Sequence, residues 1–207
     1  DMLGVSNASA LSFLKLRGGW SKVGSAGPLS PYNIEPSYQF STQPWGTTPV
    51  AFLPGTLWNP EIQNQTSYEY EVGVDARFFE SRLKLDVTYY DKKTEDVILP
   101  VSKSASSGFT SAWDNAATIT NKGVEVNLNY KVLRSTDGLN LDLNINWAKN
   151  TNNVSHIDAD DTTDEGAITL GSLWNVSVQA REGQPIGVLY GPAFARDNNG
   201  DILYNNG

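Results

Sequence analysis

Glu69 and Glu71 lie two residues apart in a stretch where apolar and polar residues alternate, so both carboxylates fall on one face of a strand. Paired carboxylates can act as general acid and base. The plainer reading is that they line a polar strand face, which needs such residues in any case. Asp197, Asn199 and Asp201 sit at alternate positions of an Asp-Asn-Asn-Gly-Asp run, the spacing that opens a calcium loop. Ile202 stands at the sixth position, where such a loop needs glycine, so a plain tight turn competes with a Ca2+ site there. The chain has one histidine, His156, and no cysteine. A histidine-based triad, a multi-histidine metal site and thiolate chemistry are therefore excluded or nearly so. No catalytic residue is assigned, and an enzyme is the weakest of the functional classes. Trp58, Phe109, Trp113 and Trp174 remain, all in the long segments that connect or follow the regular hairpins. Flat aromatic faces stack on sugar rings and anchor protein partners. They also pack large loops against themselves, and the sequence leaves both roles open.

The elements that must position these residues are strands. Tyr68, Tyr70, Val72, Val74, Ala76 and Phe78 alternate with Glu69, Glu71, Gly73, Asp75 and Arg77. After Glu80 and Ser81 the pattern returns with Leu83, Leu85, Val87 and Tyr89. A second hairpin repeats it, with Val124, Val126, Leu128, Tyr130 and Val132 going one way and Leu139, Leu141, Leu143, Ile145 and Trp147 coming back. Period-two alternation predicts four strands, 68–79, 82–92, 123–133 and 139–149, in a continuous antiparallel meander.

A soluble sheet with one wet face alternates in the same way. Three features favour a membrane barrel instead. Alternation holds for about 9–11 residues per strand, enough to cross a bilayer when tilted. Tyr68, Tyr70, Tyr89, Tyr90 and Trp147 gather at one end, and Phe78, Phe79 and Tyr130 at the other, like the two aromatic girdles of an outer-membrane barrel. Connections at the second end are short (80–81, 134–138), whereas those at the first are long (23–65, 94–122 and from 151 onward). On this reading Val72, Val74, Leu85, Val87, Val126, Leu128, Leu143 and Ile145 face lipid. Glu71, Asp75, Asp86, Asn127 and Asn144 face the lumen.

Bulk properties agree. Among 207 residues, 39 % are hydrophobic, yet no run approaches the roughly 18 apolar residues of a membrane helix. The net charge of −8 offers no basic patch for nucleic acid. Asp158, Asp160, Asp161, Asp164 and Glu165 concentrate part of that acidity in one segment, read as a solvated loop. Residues 1–10 read as a small-residue loop without a signal peptide, and 11–23 as a further long strand. Seven of the ten prolines fall between Pro28 and Pro60, which predicts an irregular but packed loop. Segments 170–178 and 186–191 read as short strands and 197–200 as a tight turn.

Several segments, in order along the chain, resemble the C-terminal barrel half of SusC-like TonB-dependent transporters of Bacteroidetes. They are Leu14–Gly24 (LKLRGGWSKVG), Trp58–Glu61 (WNPE) with Tyr68–Asp75 (YEYEVGVD), Phe79–Leu83 (FESRL) with Val87–Ile98 (VTYYDKKTEDVI), Asn121–Val126 (NKGVEV) and Glu182–Gly191 (EGQPIGVLYG). Each is weak alone; the ordered set is specific and covers most of 11–207. The resemblance implies a 22-stranded barrel with an N-terminal plug, a SusD-like surface lipoprotein as partner, and drive from TonB. By that resemblance, residues 1–207 are a fragment of the barrel domain. The plug, the TonB-contacting part and the remaining strands would be supplied elsewhere. An open five-stranded sheet cannot span lipid, because its edges leave backbone groups unpaired.

Two functions from different classes follow. One is nutrient import across the bacterial outer membrane, with a glycan or oligopeptide as cargo. The other is a soluble β-sandwich carbohydrate-binding module. Solubility without detergent separates them.

Overall fold

The computed structural model describes residues 10–31, 37–135, 137–158 and 166–203, and apart from one 3-10 turn its regular structure is all β. In chain order the strands are β1 (Leu11–Ser25), β2 (Gln39–Phe40), β3 (Ala51–Phe52), β4 (Thr56–Leu57), β5 (Gln65–Phe78), β6 (Leu83–Ser102), β7 (Ser111–Leu133), β8 (Leu141–Ile157), β9 (Ala167–Leu173), β10 (Val176–Arg181) and β11 (Val188–Tyr190). The five long ones pair in the order β1-β5-β6-β7-β8, every neighbour antiparallel. The four-strand meander is thus present, with β1 added beside β5. No closed barrel forms from these strands alone.

The register explains why alternation in sequence becomes two unlike surfaces. Leu16, Val74, Val87, Val126 and Trp147 stand side by side across the five strands. One residue along, Lys15, Asp75, Asp86, Asn127 and Asn146 do the same, pointing the other way. The apolar surface has no protein cover among the described residues: Leu16 is 72 % exposed and Val72 57 %. Among the described residues no second sheet lies over it, so they do not build the β-sandwich expected of a soluble module.

The first short turn differs in detail from its sequence reading. Phe79 leaves the strand and, with Glu80 and Ser81, adopts positive φ (52°, 54° and 64°). Local bonds hold this uncommon conformation. The Phe79 N–H donates to the Ala10 carbonyl at 2.9 Å, the Glu80 N–H to Ser12 Oγ at 2.8 Å, and the Arg82 N–H to the Phe79 carbonyl at 3.0 Å.

The larger departure is at the opposite end. Segment 97–122, read above as a loop, is largely strand; beyond 151, β8 runs on to Ile157, and the single short strand expected at 170–178 is instead two strands, β9 and β10, joined by a turn at Trp174 and Asn175. β6 continues to Ser102 and pairs with the start of β7, closing through a 3-10 turn at Ala105–Ser107. Asp96, with φ 55°, lies in a register shift between Thr94 and Val97. A bulge inserts a residue and reverses which side chains face which way. Even-numbered residues from Asp86 to Thr94 share the polar face; beyond Asp96, the odd-numbered Val97, Leu99 and Val101 turn to that side and are buried. Pro100 fits here because β5 ends its pairing at Thr66 with Glu95, leaving β6 with a strand on one side only.

Those residues form the core. Val97, Leu99, Val101, Ala117, Ile119, Val154 and Ile157 from β6–β8 pack with Ile168 of β9 and Ala180 of β10. β9, β10 and β11 form a small antiparallel sheet over the inner side of the long strands. The turn between β10 and β11 docks on β8: the Val154 N–H donates to the Gln184 carbonyl at 2.9 Å, and the Gly183 N–H to the Val154 carbonyl at 2.8 Å.

Candidate functional site

Two surfaces carry the chemistry. The first is the polar inner wall. Arg17 of β1 crosses β5 and reaches β6, donating from Nη1 to Asp86 Oδ2 at 2.5 Å, and from Nη2 to Asp86 Oδ1 at 3.0 Å and Thr88 Oγ1 at 2.9 Å. Gly73 makes this possible, since a Cβ there would lie 2.7 Å from the Arg17 guanidinium. The same device recurs two strands on. Tyr90 of β6 lies over Gly123 of β7, where a Cβ would meet its ring at 2.4 Å, and its hydroxyl bonds Asn150 Oδ1 of β8 at 3.2 Å. Each glycine is a notch that lets a long side chain join its two flanking strands.

Lower on the wall, Asn129 Nδ2 donates to Asn144 Oδ1 at 2.5 Å, and Asn127 and Asn146 face each other across the same pair of strands. Glu69, Glu71, Asp75, Asp86 and Glu125 share the wall with Lys15, Arg17, Arg77, Lys84 and Lys92. Opposite charges are interspersed, so this part of the wall has no single sign with which to attract or repel a cargo. Glu69 and Glu71 lie on it as separate rungs, facing Lys92 and Tyr90 of β6.

The second surface is the canopy above the core. β4 pairs in parallel with the start of β7, Leu57 beside Ala112, so Trp58 and Trp113 each follow one residue past that pair. The neighbouring bonds are polar: Asn59 Nδ2 donates to Asp114 Oδ1 at 3.1 Å, and Asn115 Nδ2 to the carbonyls of Gln63 at 2.8 Å and Asp96 at 2.9 Å. Trp58, Phe109 and Trp113 are half-buried. The structure therefore sets Trp58 and Trp113 on adjoining segments, each one residue past a paired position, and leaves Phe109 just beyond the 3-10 turn. Trp174 stands apart, at the tip of the β9–β10 hairpin, 93 % exposed and with φ 53°. Positive φ in so bulky a residue is a strained conformation. Leu173 beside it and Leu189 on β11 are also exposed.

Asp197, Asn199 and Asp201 lie in the tight turn read from the sequence. Asp197 Oδ1 accepts the N–H groups of Asn199 and Asp201, both at 2.9 Å, and Arg196 Nη1 donates to the Gly200 carbonyl at 2.7 Å. Among the described residues no group of three or more His, Cys, Asp or Glu converges as a metal site. Asp160, Asp161, Asp164 and Glu165 of the acidic run lie outside the described residues.

Sequence reasoning missed the Arg17–Asp86 and Tyr90–Asn150 links. The signal for both was a glycine inside an otherwise regular strand, which marks close approach.

The family model for the TonB-dependent receptor-like β-barrel matches residues 7–201. TonB-dependent receptor P26 of Formosa agariphila is 27 % identical over 183 residues, covering 88 % of this chain and 18 % of that protein. TonB-dependent receptor SusC of Bacteroides thetaiotaomicron is 24 % identical over 211 residues, covering 97 % and 21 %. Among solved structures, the RagAB peptide importer in its closed-closed state superposes with a TM-score of 0.70 at 19 % identity, covering 96 % of this chain and 23 % of that one. The RagAB peptide transporter gives 0.69 at 20 % identity, covering 85 % and 18 %. At these identities the structural likeness establishes the fold. The chain spans about a fifth of the length of these relatives.

Proposed function

Because the chain belongs to the TonB-dependent receptor-like β-barrel family, we propose that it supplies five strands and part of the surface canopy of an outer-membrane importer for an oligomeric nutrient, a glycan or an oligopeptide. The observation that carries this reading is the pair of opposed faces: an uncovered apolar band bounded by aromatics outside, and a polar wall inside. The canopy lies on the side away from the short turns, where a barrel of this kind meets the cell exterior. A SusD-like surface lipoprotein is the proposed partner there, with TonB acting through a part of the protein outside these residues. Trp58, Phe109, Trp113 and Trp174 are the proposed contacts for cargo or lipoprotein. RagAB is a peptide importer, which supports an oligopeptide; an exposed indole such as Trp174 suits a sugar ring equally.

The test is uptake by cells of the native host, with and without the full-length gene, using fluorescent oligosaccharide and oligopeptide libraries. Import of one class should require the gene and stop when an uncoupler removes the proton-motive force. Recovery of the protein in the soluble fraction, or uptake indifferent to the uncoupler, would overturn the reading.

A further inference from the structure

The outward face carries a second pattern beyond its aromatics. Trp20 and Tyr70 pair directly. Tyr89, paired with Val72, lies one same-face step nearer the short turns, and Trp147, paired with Val126, lies one step nearer still. From β1 to β8 the aromatic line therefore drops by four residues in four strand-to-strand steps. Barrel strands tilt by about 35–45°, which offsets positions of equal height by about one residue per strand. The line is thus level with the membrane plane.

A row of lysines runs parallel to it on the canopy side. Lys22 follows Trp20 by two residues, Lys149 follows Trp147 by two, and Lys93 follows Tyr89 by four. Lys122, opposite Asp91 and Thr151, lies diagonally between Lys93 and Lys149. All four share the parity of the aromatics, and no register shift intervenes. Contacts agree with that placement: Lys22 Nζ sits 5.1 Å from the Tyr68 ring centroid, Lys122 Nζ 2.8 Å from Asp91, and Lys93 Nζ 2.6 Å from Glu95. Four lysines against two carboxylates make this strip basic, in a chain whose net charge is −8. Each ammonium has three donors, so Lys93 and Lys122 keep donors beyond those given to their carboxylates.

Residues just beyond an interfacial aromatic belt lie in the headgroup layer. We propose that Lys22, Lys93, Lys122 and Lys149 bind the phosphate groups of an anionic, phosphorylated lipid in the outward-facing leaflet. This rests on the membrane-spanning reading above. Charge complementarity names the occupant: spaced cations at headgroup height suit spaced phosphates, and the aromatics below them suit the acyl chains.

Native mass spectrometry of the full-length receptor in a zwitterionic detergent tests this. The probes are a diphosphorylated glucosamine lipid, its monophosphorylated form and a phosphate-free glycolipid of matched acyl chains. Wild type should hold the diphosphorylated probe about tenfold or more tightly than the phosphate-free one. The combined variant K22Q/K93Q/K122Q/K149Q should lose that preference, and the same four changes to arginine should keep it. Glutamine at the inner-wall residues Lys15, Lys84 and Lys92 should leave it intact. Wild-type preference in the outer glutamine variant, equal loss in the inner one, or displacement of the lipid by inorganic phosphate would overturn the proposal. Heat-modifiable gel migration and outer-membrane fractionation are read in parallel. A receptor that passes both yet ignores phosphate defeats only this proposal, whereas one that fails both defeats the membrane reading.

Discussion

Arg17 and Asp86 are joined across an intervening strand, with Gly73 lying beneath the guanidinium that links them. Both side chains are one-third exposed, so the pair is screened and its worth is modest. A double-mutant cycle with Arg17→Ala and Asp86→Ala should give a coupling of about 1 kcal/mol in urea unfolding of the refolded receptor. Repeated in a Gly73→Val background, where the crossing is blocked, the coupling should fall to near zero. Full coupling in that background would show that the glycine notch is irrelevant.

The two faces should respond differently to charge. Val74 lies midway between Tyr70 and Phe78 on the outward surface, and Asn146 lies on the inner wall. Val74→Arg should cost about 2–4 kcal/mol in lipid, whereas Asn146→Arg should cost about 1 kcal/mol or less. Folding titrations into vesicles measure both, and equal costs would mean that the outward surface does not meet lipid.

Orientation can be read on intact cells without background, since the chain has no cysteine. Ser106, in the exposed 3-10 turn, is a better probe than Ser107: its hydroxyl meets the Ser104 hydroxyl at 2.8 Å, whereas that of Ser107 donates to the Ser104 carbonyl at 2.7 Å and accepts the Phe109 N–H, which closes the turn. Ser106→Cys should react with a membrane-impermeant maleimide, and Ser135→Cys, at the opposite end, should not. Labelling at Ser135 alone would invert the topology.

Packing and binding roles of the canopy aromatics are separable. Trp113 is half-buried, so Trp113→Ala should lower stability by about 1–3 kcal/mol whatever else it does. Trp174 is exposed and held at positive φ, so Trp174→Gly should leave stability unchanged or raise it by about 0.5–1 kcal/mol. Cargo uptake or lipoprotein retention should nevertheless fall in the Trp174 variant. Unchanged uptake and retention there would remove Trp174 from the proposed contacts.

The transmembrane half of the meander was legible because burial against a uniform partner writes a uniform alternation. From Tyr68 to Phe78 and from Leu83 to Tyr89 every second residue faces the same surroundings, so pairing and facing follow from the period alone. The upper half was not legible because the period shifts at Asp96 and the register shifts again between Val97 and Ile98 and, in β7–β8, between Thr118 and Ile119. Val97-Ile-Leu-Pro-Val101 then reads as a short apolar run with a proline, which looks like loop. Only the register shows that Ile98 and Val97 are buried on opposite sides of one strand. The glycine-spanned links were hidden for a different reason. They join residues 69 and 60 positions apart, and no local pattern encodes which distant partner a notch serves. The segments carrying Trp58 and Trp113 adjoin through the two-residue parallel pairing of β4 with β7, too short to leave a periodic trace.

The bulge at Asp96 means that β6 obeys two solvents. Below it the strand is greasy outward and wet inward, as lipid requires; above it the side chains at Val97, Leu99 and Val101 are dry inward, as water requires. A urea series on the lipid-embedded receptor should therefore not melt this hairpin in one step. The water-side core, small and without lipid around it, would come apart first and release β9–β11, while the rungs from Leu83 to Thr94 stay paired in the bilayer. On the proposed membrane-spanning reading, the segments beyond Asp96 could then be remodelled in evolution at the expense of this small core alone, without any change in the rungs from Leu83 to Thr94.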